Sequence, residues 1–336
     1  MLNEILEKLD SKVVLCDVGA RGGIPEEWKR VSTRLKVLAF EPDAESAKAL
    51  TKDIESDGAT VNVYKNAVWS ESGNYTFHST RSGACSSLLQ PNDSFLKNFT
   101  LYEKFNVKNK FEIRTDTIDG IISLHSEEVD FLKIDVQGGT LNVLNGSGKI
   151  LDSVIGLSVE AEFVSMYKGE SLFGDIDQYM RDKDFILIDL RPTYWRRTAS
   201  ANIAGSKGEL VYADLLYLID PDKLRERISL LDESKRANVL LRALVCCMVY
   251  GLNDWVVNYI ECTHDIVSDK RLDEILIQSK KGNVIAKIPE FKYRHFIGNI
   301  LKDLADLLHS PSSRVINQDQ GFAGLRRHVW FKKKRR

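Results

Sequence analysis

From Val13 to about Asp220 the chain alternates short apolar, β-branched runs with segments of helical character, and this alternation constrains the fold more than any other feature. The runs are "KVVLCDV", "KVLAFEP", "VNVYKNAV", "VDFLKIDV", "IGLSVEAEF", "FILIDL" and "ELVYADLLYLI", seven candidate strands. Between them the spacing predicts helices over "PEEWKRVSTR", "AESAKALTKDIES", "GTLNVLNGSGKIL" and "FGDIDQYMRDK". Near-continuous apolar strands joined through helices make an α/β protein with a mostly parallel, doubly covered sheet. The last two runs flank the Arg- and Gly-rich stretch 191–208 and have no long helix between them, so they are expected to pair as an antiparallel hairpin. The Ser/Gly/Asn-rich excursion 70–99 is expected as an extra strand and loop over the sheet's edge.

After Asp220-Pro221 the pattern becomes helical, with Phe296, Ile297, Ile300, Leu301, Leu304, Leu307 and Leu308 at helical spacing in the last segment. This divides the chain into an α/β domain (1–220), a helical C-terminal domain (221–310) and a flexible basic tail (311–336). The helical part fits packing on the α/β domain and fits homo-oligomerisation equally. With 43% hydrophobic and 28% charged residues the chain reads as a folded soluble protein. "MLNEILEKLDSK" is an amphipathic helix rather than a leader, and "ALVCCMVYGL" is too short to be a transmembrane segment. The five cysteines lack metal-ligand spacing and read as reduced core thiols, which places the protein in the cytoplasm. Seven Lys/Arg and no acid fall in residues 325–336, so the net charge of −1 leaves −8 on residues 1–324. Trp330 and Phe331 within that run suit a solubilising tail first. Second, they suit peripheral contact with an anionic membrane at its inner surface, with nucleic acid the less favoured partner.

"VVLCDVGARGG" places Asp17, Gly19 and Gly23 where a first strand turns into a glycine-rich loop, the ligand position of an open α/β sheet. Glu41 ends the second strand 22 residues after Gly19, where a carboxylate accepts hydrogen bonds from both ribose hydroxyls. An acid before the first glycine repels pyrophosphate but suits a cationic amino group, which favours S-adenosylmethionine over a nicotinamide dinucleotide. Each feature has a plainer reading: Asp17 as a turn cap, Glu41-Pro42-Asp43 as an N-cap, and the glycines as turns. "NGSGKI" fails as a phosphate loop, because Val143 and Ile150 occupy the positions of its first glycine and its hydroxyl residue. His78 and His125 read as solvent-facing.

"DVGARGG", "FEPD", "KNAVWSESG", "RTDTID", "VDFLKIDVQGG" with "VLNG", and "SVEAEF", in this order over residues 11 to 219, resemble the FkbM family of methyltransferases. The resemblance implies a seven-stranded class I methyltransferase (Rossmann-like) fold and methyl transfer from S-adenosylmethionine to a hydroxyl oxygen of a sugar, glycan precursor or related small molecule. It also assigns Asp17, Gly19 and Gly23 to the cofactor loop, Glu41 with Pro42 to the ribose, and Asn66 and Ala67 to the adenine. Arg21 and Gly22 stand where many members of the family have a small residue or Asn, and Arg21 suits the methionine carboxylate. Gly139-Thr140 depart from the usual Gly-x-Glu ending.

Asp135, ending "FLKID", is the candidate base. Lys133, two residues earlier on the same face, is expected to keep it ionised, and Glu160 is the candidate second acid for acceptor hydroxyls. No metal is expected, since these acids lack histidine support. Arg191, Trp195, Arg196 and Arg197 are expected to line an acceptor pocket for an anionic sugar. Two alternatives stay open: a catalytically degenerate binding or assembly protein of the same fold, and a nicotinamide-dependent oxidoreductase.

Overall fold

The computed structural model describes residues 2–123, 128–200, 208–281, 293, 296–297, 300 and 315–317. His125, the greater part of the helical segment predicted after Arg294, and the basic run 325–336 with Trp330 and Phe331 lie outside the described residues.

The chain opens with α1 (Leu2–Lys8), β1 (Val13–Val18), β2 (Leu35–Phe40), α2 (Ala44–Ser56), β3 (Thr60–Tyr64), β4 (Ala67–Val68), β5 (Gly73–Thr80), α3 (Asp93–Leu96), β6 (Val107–Asp116) and α4 (Ile118–Ser123). It continues through β7 (Phe131–Ile134), α5 (Thr140–Asn145), β8 (Gly156–Glu162), α6 (Phe173–Asp182), β9 (Phe185–Trp195) and β10 (Glu209–Ile219). The helices α7 (Pro221–Ser229), α8 (Glu233–Val249), α9 (Asn253–Thr263) and α10 (Lys270–Lys281) follow, and then β11 (Val315–Asn317).

All seven predicted strands contribute to one sheet, ordered β11-β9-β10-β8-β7-β1-β2-β3, although "VNVYKNAV" does so only through β3, its Ala67–Val68 end forming β4 elsewhere. The pairs from β3 to β8 are parallel, and β10 runs antiparallel to both β8 and β9, which makes the expected hairpin. Without the short β11 edge, the seven strands stand in the chain order 3-2-1-4-5-7-6 with the seventh reversed, the class I methyltransferase arrangement. Every residue of β1 is buried, as a central strand covered on both faces requires. The chain winds from β1 outward through β2 to β3 and returns to β7 on the other side of β1. The carboxyl ends of β1 and β7 are therefore a topological switch point, where connections diverge and leave a crevice.

Three local expectations need correction. "PEEWKRVSTR" forms turns and a 3-10 helix (Lys29–Arg34) rather than an α-helix. Val31, Ser32 and Thr33 are weak helix formers, and Trp28 is drawn into the core against Phe131 and Tyr250. "GTLNVLNGSGKIL" is helical only through Asn145. At Gly146 any side chain would collide with the Trp69 carbonyl, and the glycines there end the helix. The excursion after Ser70 is more than an edge strand: β4, β5 and β6 form a separate three-stranded sheet.

The helices α7 to α9 pack on the α/β layer and share its core, where Leu240, Leu244, Cys246 and Val256 join the same buried cluster as β1 and β7. "ALVCCMVYGL" is thereby accounted for as buried helix, and no helix among the described residues is long and apolar enough to cross a membrane. Polar contacts fix the docking. Arg30 donates to the Met248 and Val249 carbonyls, Trp28 Nε1 to the Tyr250 hydroxyl (3.1 Å), and Tyr259 to the Ile219 carbonyl (2.8 Å). Arg242 of α8 pairs with Asp130 (2.9 Å), whose other oxygen accepts the Val14 N–H (2.8 Å). Burial pushes the Asp130 carboxyl up to about 6 even beside that guanidinium. Removing one partner of a buried pair leaves an uncompensated charge. Arg242→Met is therefore expected to lower the urea-denaturation stability by about 3 kcal/mol at pH ~8. The loss should be smaller below about pH 5, where Asp130 takes up a proton in both proteins. An equal loss at both pH values would contradict this origin.

Candidate active site

At the switch point β1 runs into the loop "GARGG". Gly19 sits at φ +83°, and its N–H and that of Ala20 reach the Phe40 carbonyl at the end of β2 (3.3 and 3.4 Å). A Cβ on residue 19 would run into the backbone carbonyl of Asp135, so both conformation and space require glycine. The Asp135 N–H in turn donates to the Val18 carbonyl (2.9 Å). Above these strand ends lies a cavity of about 990 Å³, walled by the small inserted sheet through Phe77, Phe111 and Ile113 and by the segments around Cys85 and Phe105.

Of the residues singled out in the sequence, Gly19, Arg21, Glu41, Pro42, Asn66, Ala67, Asp135 and Glu160 line this one cavity. Glu41 is almost fully buried; one carboxylate oxygen accepts the Asp43 N–H (2.9 Å) and the other stands 3.9 Å from Arg21. The helix-capping role falls to Asp43, which accepts the Ser46 N–H (2.8 Å) at the start of α2.

Asp17, Gly23 and Lys133 are not on the cavity surface. Asp17 and Lys133 are register partners across β1 and β7 and form an ion pair of 2.9 Å. Burial raises the Asp17 carboxyl while Lys133 pulls it down. Burial alone would lower Lys133, but Asp17 and then Asp135 outweigh it and hold the ammonium charged. The bonded partner of the Lys133 ammonium is therefore Asp17, with Asp135 the second acid that acts on it.

Asp135 is bound instead through Gln137, a residue that sequence reasoning missed. Gln137 Nε2 donates to Asp135 (3.0 Å) and to Glu160 (2.9 Å), and its Oε1 accepts from the Tyr167 hydroxyl (3.2 Å). It holds φ +55°, a strained conformation for a side chain that is not glycine, and Ser87 secures its carbonyl (2.7 Å). The only signal in the sequence is the Gln-Gly-Gly that follows the strand. Thr140, at the departure from Gly-x-Glu, donates to the Glu160 carbonyl (2.6 Å).

Burial, and then the neighbouring Asp135, push Glu160 well above the usual carboxylate range. Glu162, two residues on, is fully buried, and neither of its carboxylate oxygens has a hydrogen-bond partner among the described residues. Burial, with Glu170 second, raises it to about 8, and burial raises Glu170 to about 7. Among the described residues no group of three or more His, Cys, Asp or Glu could hold a metal ion.

The arginine expectation is corrected. Arg191 pairs with Asp214 (2.5 Å) and approaches Glu27 (3.9 Å), and Arg197 pairs with Glu209 (2.8 Å) over the Phe99 ring. Neither they nor Arg196 line the cavity, but Trp195 does. The hairpin supplies its own acids to its arginines. His78, expected at the surface, is buried in the inserted sheet, and its pKa is lowered by that burial.

A carboxyl raised in the fold stabilises it below the unfolded value of 4.5, and that contribution is lost as pH rises through the folded value. Stability to urea is expected to fall by about 2 kcal/mol or more between about pH 6 and pH 9, chiefly through Glu162. Glu162→Gln should flatten that fall; an unchanged slope in the variant would contradict it.

Residues 17–187 match the Methyltransferase FkbM domain. The chain is 27% identical over 193 residues to the hexuronic acid methyltransferase AglP of Haloferax volcanii, covering 54% of this chain and 73% of that protein. Among solved structures, it overlaps methyltransferase FkbM of Methylobacillus flagellatus KT at 16% identity and a TM-score of 0.35, over 61% of this chain and 44% of that one. The chain thus spans less than half of that solved protein's length. It overlaps TrmK of M. capricolum, solved with S-adenosylhomocysteine, at 8% identity and a TM-score of 0.32, over 83% of this chain and 96% of that one. The chain belongs to the FkbM methyltransferase family.

Proposed function

We propose that the protein transfers a methyl group to a hydroxyl oxygen of a sugar or glycan precursor. The observation that carries this reading is one cavity that joins a ribose-type acid, Glu41, to a pair of carboxylates, Asp135 and Glu160, at the adjoining strand ends. The residues present fit the family's cofactor. Glu41 presents a carboxylate for ribose hydroxyls. Asn66 and Ala67, with Val68, Phe77 and Ile113, offer an apolar slot with a polar edge for adenine, and Arg21 offers a guanidinium for the methionine carboxylate. Asp17 lies off the cavity surface in its ion pair with Lys133, where it ties β1 to β7 beneath the cofactor loop.

Bound there, S-adenosylmethionine supplies an electrophilic methyl group on a sulfonium. The chain's own work is to hold the acceptor oxygen in line and to take its proton. Alignment contributes ~7–11 kcal/mol and a positioned base ~10²–10⁴-fold, so geometry dominates. Asp135, at the end of β7 and two residues beyond Lys133, accepts the hydroxyl proton. Glu160, tied to Asp135 through Gln137, orients a neighbouring acceptor hydroxyl. The likeness to a hexuronic acid methyltransferase supports a carbohydrate acceptor.

Calorimetry with S-adenosylhomocysteine and methyl transfer to a panel of glycosides and uronides test this reading. Glu41→Ala is expected to weaken cofactor-product binding by about tenfold or more. Asp135→Asn should keep that affinity within about twofold while lowering turnover at least about tenfold. Absence of binding to the unaltered protein would overturn the proposal, and equal turnover in Asp135→Asn would remove the base assignment.

A further inference from the structure

We infer that the half of the cavity beyond Asp135 is an acceptor subsite for a sugar ring bearing a carboxylate, with Lys104 as the cation that selects it. The inference rests on the methyltransferase reading above and adds the acceptor's charge and the residue that reads it.

The wall of this half is preformed. Phe105 packs on Trp195 (ring centroids 5.7 Å apart) and on Tyr167 (6.0 Å), and Trp195 meets Tyr212 edge-on (6.2 Å). With Met166 and Leu96 these rings border or belong to a second small core, separate from the main one, so the cavity is faced by aromatic surface that is already ordered. Phe105, Met166, Trp195 and Tyr212 all line the cavity. Rigid aromatic faces suit the C–H face of a pyranose, with little ordering cost on binding. A purely hydrocarbon acceptor would match the wall but not the floor, where Asp135 and Glu160 call for hydroxyl donors, nor the hydroxyls of Ser82 and Ser86 on the lining.

Charge is distributed unevenly. The floor of the cavity carries the two acids, with Glu162 and Asp214 contributing further negative potential to Glu160. An anionic substituent is therefore repelled from the reacting end and must lie toward the mouth. Arg21 and Lys104 are the cations among the described lining residues; Arg21 stands 3.9 Å from Glu41 and reaches across to the Gly83 turn. Lys104 has no acid paired with its ammonium among the described residues. Its backbone is held on both sides: its N–H donates to the Leu101 carbonyl (3.0 Å), and its carbonyl accepts the Ser82 N–H (3.0 Å). Phe105 next to it is anchored in the aromatic wall, so Lys104 is carried on a held turn that borders the same cavity. A ring seated on the wall with one hydroxyl over Asp135 directs a carboxylate across the ring away from the floor acids and toward Lys104. The cation expected from the arginine-rich stretch 191–197 is thus supplied from a different segment of the chain.

Binding of p-nitrophenyl β-D-glucuronide and p-nitrophenyl β-D-glucoside to the full chain saturated with S-adenosylhomocysteine tests this. The glucuronide is expected to bind at least about tenfold more tightly than the glucoside. Lys104→Met should bring the two within about twofold while the glucoside is unaffected, and Lys104→Arg should keep the preference. Equal binding of the two sugars by the unaltered protein, binding of neither while S-adenosylhomocysteine binds, or a preference that survives Lys104→Met would each overturn the subsite and leave the methyltransferase reading standing. Failure of S-adenosylhomocysteine to bind would overturn both.

Discussion

The closest constraint in the molecule is the contact between the exit of β1 and the end of β7. The Asp135 N–H is bonded to the Val18 carbonyl, and Gly19 folds over the Asp135 carbonyl at a distance that admits no side chain. This brings a loop able to face a nucleoside and a carboxylate able to take a proton to one point, although they are more than a hundred residues apart in the chain. Beneath it, the Asp17–Lys133 pair joins the same two strands by charge. In a central parallel sheet, two strands meeting where their connections diverge leave a crevice, and here the crevice inherits the chemistry of both ends.

The site is costly to hold together. Glu160, Glu162 and Glu170 are all raised by burial, and Gln137 occupies a backbone conformation costing about 1–3 kcal/mol. Gln137 offsets part of this by donating from one amide nitrogen to Asp135 and Glu160 together. An amide in that place separates the acids without adding a third charge, where a carboxylate would compound the repulsion. The large shared core, including α8 and α9, supplies the stability that such a site draws down.

What the sequence revealed tracks what was buried. The seven main strands were legible because strands covered on both faces are written as apolar runs, and α2 was read to its exact ends because Asp43 caps it and its apolar face repeats helically. The inserted sheet was legible only in part. In β6, "VKNKFEIRTD" is exposed over most of its length and carries Lys108, Lys110 and Arg114, so no buried face marks it as a strand that frames a cavity. Glu41 and Asp135 stood out as acids ending apolar strands. Gln137 did not, since a neutral amide leaves no mark in charge or periodicity. The arginines of 191–197 invited an anion site because their partners, Asp214 and Glu209, arrive from the next strand and become visible only when the hairpin closes. Lys104, in "LYEKF", was indistinguishable from any surface lysine until the 3-10 turn set it beside Phe105.

A crystal structure of the protein with S-adenosylhomocysteine measures the central assignment most directly. The expected result is adenosine lying along the ends of β1 and β2, with both ribose hydroxyls on the Glu41 carboxylate and the sulfur facing Asp135. A nucleoside bound elsewhere, or bound in the cavity with Glu41 touching neither hydroxyl, would contradict it.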